Sequence, residues 1–158
     1  MTFQDSPPKV FSVPECDCVL CVVGYDVKTL QNGKCKGSDI HILTLEVAGG
    51  VCEFDETLID HPSCQWRVDV FLRAVGADVK KGEAFEFDAA TAKARGVKYI
   101  DPLGLQFHAH IVQMDESYVK DGVTKTVKKN KVSIFYTDKP KLPRRVIEPA
   151  GEPDDVPF

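Results

Sequence analysis

The chain has 158 residues, 43% hydrophobic and 28% charged, which suits one domain with short tails and excludes wholesale disorder or a collagen-like repeat. Its net charge is −4, yet residues 148–158 hold four acids and no base, leaving 20 acids and 20 bases in the rest of the chain. Residues 117–147 carry nine Lys and Arg against two Asp, so the total hides a basic stretch running into an acidic tip, the pattern of a polyanion-binding surface with a separate tail.

Residues 1–14 are polar and marked by Pro7, Pro8 and Pro14, and read as a flexible N-terminal arm. They lack the basic and apolar regions of a signal peptide. The longest apolar run, CVLCVVGY at 18–25, is too short to span a membrane. Six cysteines without an export signal point to reduced thiols and a cytoplasmic location.

Residues 16–28 are β-prone and mostly apolar, and predict a first strand. Asn32-Gly33 and Gly37 supply turn chemistry before the next strand. In IHILTLEV (40–47), His41, Leu43, Leu45 and Val47 share one face. A glycine turn follows, and VCEFDETL predicts a third strand. HPSCQWRVDVFLRAVG (61–76) predicts a helix capped by Asp60 or His61, with Pro62 at its first position and Gly76 as its stop. Trp66, Val70, Phe71, Ala74 and Val75 are its expected apolar face, with Arg67, Asp69 and Arg73 opposite. Residues 88–96 predict a short second helix capped by Asp88.

LGLQFHAHIVQM (103–114) alternates, with Leu105, Phe107, Ala109 and Ile111 on one face and Gln106, His108 and His110 on the other. Residues 120–130 read as a long basic hairpin loop. KVSIFYT (131–137) reads as a last strand, with Val132, Ile134 and Tyr136 on one face and Lys131, Ser133 and Phe135 on the other. Pro140, Pro143, Pro149 and Pro153 then predict a stiff, exposed linker. The chain therefore divides into an arm (1–14), a mainly β body (15–138) and a linker with an acidic tip (139–158). Five strands with a helix between the third and fourth is the layout of an OB-fold barrel.

Binding single-stranded nucleic acid needs cations along the phosphates and flat rings under the bases. On an OB layout the loop between strands one and two offers Lys34 and Lys36. The last hairpin offers Tyr118, Lys125, Lys128, Lys129, Lys131 and Phe135, and the segment before strand four adds Lys98 and Tyr99. Cys16, Cys18 and Cys21 form one compact cluster with no second cysteine pair of the kind a structural zinc site uses, so no metal is expected. The four histidines are dispersed. No nucleophile elbow, Walker loop, zincin helix or dinucleotide fingerprint occurs, so no catalytic residue or cofactor is expected.

Asp154, Asp155, Val156, Pro157 and Phe158 resemble the C-terminal tip of bacterial single-stranded DNA-binding proteins, with Val where that tip usually has Ile. Gly24-Tyr25, Lys36-Gly37-Ser38, residues 66–76 and the strand ending near Tyr118 resemble a family of phage-encoded OB-fold proteins that bind single-stranded DNA. Many relatives place a glycine-lysine pair before the fourth strand, where this chain has Gly96-Val97-Lys98. The resemblance implies sequence-independent binding of single-stranded DNA during phage replication, recombination or repair in the host cytoplasm. It also implies capture of replication or recombination proteins by residues 154–158, with Phe158 and its α-carboxylate as the recognition element. A contrasting expectation is a protein-interaction module whose basic hairpin meets acidic protein surfaces. No coiled-coil segment decides between a monomer, a homodimer and a higher oligomer.

Overall fold

A computed structural model describes residues 11–147. Its main sheet is antiparallel throughout, in the order β3-β2-β1-β6-β7, formed by β1 (Cys16–Thr29), β2 (Asp39–Val47), β3 (Glu53–Ile59), β6 (Gln106–Lys120) and β7 (Val123–Phe135). Between β3 and β6 lie a 3₁₀ turn (Pro62–Cys64), α1 (Gln65–Val75) and an excursion holding β4 (Phe85–Glu86), α2 (Ala89–Arg95) and β5 (Lys98–Tyr99), where β4 and β5 pair in parallel. No helix among the described residues is long and apolar enough to cross a membrane.

Alternation builds the core. Leu43, Leu45 and Val47 of β2, and Phe107, Ala109 and Ile111 of β6, all point inward, as their period of two requires. β1 carries a bulge, in which Val22 pairs with Leu45 and Gly24 with Thr44, so Val23 is the extra residue. Gly24 keeps this crossing uncrowded, since a Cβ there would lie 3.1 Å from the Thr44 Cβ and Oγ1. The bulge inverts the parity of later positions, so Tyr25, opposite Leu43, joins the edge of the core.

Phe71 of α1 sits at the centre, with edge-to-face contacts to Phe87, Phe107 and Phe135 at centroid distances of 6.2, 5.6 and 6.1 Å. The helix packs against β3, β6 and β7. His61 caps the 3₁₀ turn by accepting from the Ser63 N–H at 3.1 Å, and Asp88 caps α2 by accepting from the Thr91 N–H at 2.9 Å.

The sheet curls until its two edge strands, β3 and β7, approach each other. Glu56 of β3 bridges them. Its Oε2 accepts from the Val132 N–H at 2.9 Å, while Oε1 receives Arg67 Nη2 at 2.6 Å. Arg67 also donates to the Val132 carbonyl at 3.3 Å. One carboxylate and one guanidinium thus satisfy the two backbone groups of Val132 that a further ladder strand would otherwise take up. Arg67, expected on the solvent face of the helix, is half-buried here, with its guanidinium 5.0 Å from the Phe135 ring centroid.

Three expectations need correction. The basic segment 120–130 is not a loop. β6 and β7 continue as a ribbon to a two-residue turn at Asp121-Gly122, both with positive φ (54° and 75°), the geometry a tight hairpin demands. Phe135 is not on a polar face. Ser133 is bulged, His110 pairing with Ile134 and Ile111 with Val132, so Val132 and Phe135 both point inward and Ile134 points out. Phe135 is 8% exposed. The proline-rich segment also stays on the body as far as residue 147. Arg144 donates to the carbonyls of Asp101 and Leu103 at 2.8 and 2.6 Å, the Arg145 N–H donates to Gly104 at 2.8 Å, and Gln106 donates to the Pro143 carbonyl at 2.9 Å. A side chain at Gly104 (φ 87°) would collide with the Arg145 carbonyl, so glycine is what allows this strap to dock.

At the other end, residues 11–14 of the expected arm are also anchored. The Asn130 side chain accepts from the Val13 N–H and donates to its carbonyl, each at 2.8 Å, as a strand neighbour would.

Candidate nucleic-acid interface

The ribbon places the hairpin cations. Residues directly opposite on paired strands share a face, and faces alternate along each strand. Tyr118 lies opposite Lys125, Lys120 opposite Val123, Glu116 opposite Val127, Met114 opposite Lys129 and Val112 opposite Lys131. One face therefore gathers Lys120, Lys125, Lys129 and Lys131 with the half-exposed Tyr118 and Met114. It holds a single acid, Glu116, which pairs with Lys129 at 2.8 Å. Between positions 123 and 131 the extended strand spans about 27 Å. The other face pairs Asp115 with Lys128, Ser117 with Thr126 and Val119 with Thr124, and is close to neutral. Lys128 is thus separated from the lysines that surround it in sequence.

At the ribbon base an open cleft of about 1160 Å³ lies between β3, the start of α1 and β7. Trp66, 63% exposed, and Phe11 line it, with Met114, Lys128, Lys129 and Lys131 on the ribbon side. Its β3 side is acidic. Glu53 and Asp55 line it, and Asp55 accepts from Thr44 Oγ1 at 3.0 Å. The ribbon side carries Lys128, Lys129 and Lys131 together with Asp115 and Glu116, so it is mixed in charge, with cations in the majority.

Trp66 was expected in the core. The buried stripe of α1 is Val68, Phe71, Leu72, Ala74 and Val75, and at 100° per residue Trp66 stands about 160° away from Val68. A helical wheel drawn on that stripe is the sequence signal that identifies the exposed ring. Phe11 and Met114 carry no comparable signal.

The remaining expected residues are dispersed. Lys34 and Lys36 are exposed in the β1–β2 loop, which meets the helix start where Cys35 Sγ lies 4.0 Å from Ser63 Oγ. The Lys98 ammonium bonds to the Asp78 carbonyl and lies 3.5 and 3.7 Å from the carboxylates of Asp78 and Glu83. With Tyr99, it belongs to the small β4–β5 sheet rather than to the ribbon. Phe135 is core. Asp154, Asp155, Val156, Pro157 and Phe158 lie outside the described residues.

Two other clusters are structural in character. Asp17 accepts from Tyr136 OH and pairs with His110 Nδ1, both at 2.7 Å, while His110 Nε2 lies 3.3 Å from Glu15. Hydrogen bonds from Tyr136 and His110 hold the Asp17 carboxyl below its usual range, and the bond to Asp17 raises His110. Cys16 and Cys18 face the core side of β1, and burial pushes the Cys18 thiol up to about 12. Among the described residues no group of three or more His, Cys, Asp or Glu side chains has a metal-holding arrangement.

Comparison with protein-family models and with curated proteins returned no match.

Proposed function

We propose that this chain binds single-stranded DNA without sequence preference, along the lysine face of the β6–β7 ribbon and into the cleft beside Trp66. The observation that carries the reading is the sorting of Lys120, Lys125, Lys129 and Lys131 with Tyr118 onto one ribbon face. Cations displace counterions from phosphates, and exposed rings offer stacking surfaces that accept any base. The sheet order β3-β2-β1-β6-β7, the helix placed between β3 and β6, and the Glu56–Arg67 bridge across the β3–β7 seam support an OB-type barrel. In such barrels the hairpin between the last two sheet strands is one of the surfaces that engage oligonucleotides. The role is stoichiometric coating of single strands in replication, recombination or repair, with residues 154–158 recruiting partner proteins through the Phe158 ring.

Trp66 is the chain's single tryptophan, so its emission reports on the cleft directly. Titration with a single-stranded oligonucleotide is expected to quench it, and duplex of the same length is expected to compete poorly. Unchanged emission together with no shift in the anisotropy of a labelled single strand would remove the reading. Changing Phe158 to Ala is expected to leave DNA affinity intact and abolish partner capture.

A further inference from the structure

The excursion between α1 and β6 is not needed to close the main sheet, yet it walls off a second cavity. This cavity, about 220 Å³, lies where β2 begins and β3 ends, against α1. Phe85 and Phe87 form its aromatic side, their ring centroids 5.2 Å apart, and His41 meets Phe87 edge to face at 5.5 Å. His41 is 8% exposed. Its Nδ1 lies 2.7 Å from the Tyr25 hydroxyl. No hydrogen bond to its Nε2 occurs among the described residues, and the residue lines the cavity. A residue more than nine-tenths buried that lines a cavity, with one ring nitrogen bonded and the other without a protein partner, offers a hydrogen-bonding position to a ligand.

The rim defines the ligand further. Asp60, Glu83 and Glu86 stand against one cation, Arg95, which is paired with Glu86. Three carboxylates to one guanidinium disfavour a phosphate inside, while flat aromatic walls favour a planar ring. Burial keeps His41 neutral by lowering its proton affinity, so the ring adds no charge to attract an anion.

We infer that the His41 cavity is a binding site for one uncharged planar heterocycle, a nucleobase, that hydrogen-bonds to the free ring nitrogen of His41 and packs against Phe85 and Phe87. Choosing a nucleobase among planar heterocycles rests on the DNA reading. The exclusion of phosphate does not. The cavity flanks the same segment as the ribbon cleft, with Asp60 and Gln65 lining one and Ile59 and Trp66 the other. A base can therefore be taken here while its phosphates stay on the cationic side.

The test uses the four deoxynucleosides, which carry no phosphate, added to full-length isotope-labelled protein. Saturable shifts are expected at Gln65, Val68 and Phe87. His41→Phe keeps the ring shape and removes the nitrogens. It is expected to weaken the nucleosides about tenfold, the scale of one hydrogen bond to a buried group. Ala84→Trp fills the cavity from its exposed rim without touching the core, and is expected to abolish the shifts. Both variants are expected to retain salt-dependent oligonucleotide binding on the ribbon. The proposal is overturned if the nucleosides shift nothing in the wild type, or if the shifts survive Ala84→Trp, whether or not the protein binds DNA. Loss of oligonucleotide binding in the wild type, with nucleoside shifts present, would instead count against the DNA reading while leaving the cavity a heterocycle site.

Discussion

β6 and β7 run through two environments without a break. Near the body, Phe107, Ala109, Ile111, Val132 and Phe135 fill the inward positions. A few residues on, the same strands carry Asp115, Ser117, Thr126 and Lys128 at positions of equal parity and remain paired to the turn. The hydrogen-bond ladder is common to both halves, so the ladder does not distinguish core from surface. What sits on the two faces does. The body half is fixed by burial, and the ribbon half by cross-strand pairs and a well-formed turn, which leaves its faces available for charge.

That contrast is sharpest in stability. Phe135→Ala is expected to cost about 3–5 kcal/mol in urea or thermal unfolding. Tyr118→Ala, on the ribbon, is expected to cost less than about 0.5 kcal/mol while weakening DNA binding. Comparable losses from the two would break the distinction. Glu56→Ala comes next, at about 3 kcal/mol, because it strands Arg67 and leaves the Val132 N–H unpaired. Glu56→Leu combined with Arg67→Met is expected to recover only part, since both Val132 backbone groups still lose their partners. On the ribbon, Lys125→Gln is expected to reduce the salt slope of oligonucleotide binding by about 0.7, and Lys98→Gln by less, because Lys98 pairs with Asp78 and Glu83 in the small β4–β5 sheet. Equal effects would contradict the assignment to the ribbon.

The smallest effect separates two histidines of opposite sign. His110, raised above 6.5 by Asp17, binds its proton more tightly when folded. Its contribution is full below the unfolded value and is lost as pH rises through the folded one. The stability gap between wild type and His110→Gln should therefore narrow from pH 6 toward pH 9. His41, lowered by burial, acts the other way, and its contribution falls as pH drops below 6.5.

Much of the body was legible in the sequence because alternation, caps and glycine stops are local signals. β2, β3 and α2 follow directly from them, while His61, one of the two expected caps, caps the 3₁₀ turn and α1 begins later, at Gln65, without a side-chain cap. The face of Phe135 was not legible, because a single bulged residue, Ser133, inverts every later position and announces itself only through pairing. Arg67 was hidden for a related reason. Its place on the helix looks polar, and only the approach of β3 to β7 turns it into a bridge. Of the candidate site, the cations of the hairpin were visible as composition, but their division between two faces required the register. The docking of residues 139–147 on Gly104 depends on contacts distant in sequence, where proline content alone indicated a free linker.

The most direct measurement is the salt dependence of single-stranded oligonucleotide affinity, read from Trp66 emission, for wild type and for the combined Lys125→Gln, Lys129→Gln, Lys131→Gln variant. Each phosphate contact contributes about 0.7 to the slope of log K against log salt for single strands. A steep negative slope in the wild type, less steep by about 2 in the variant with the fold unchanged, is the predicted result. A flat wild-type slope, or one the three substitutions leave unaltered, would contradict the assignment of the ribbon face as the DNA-binding surface.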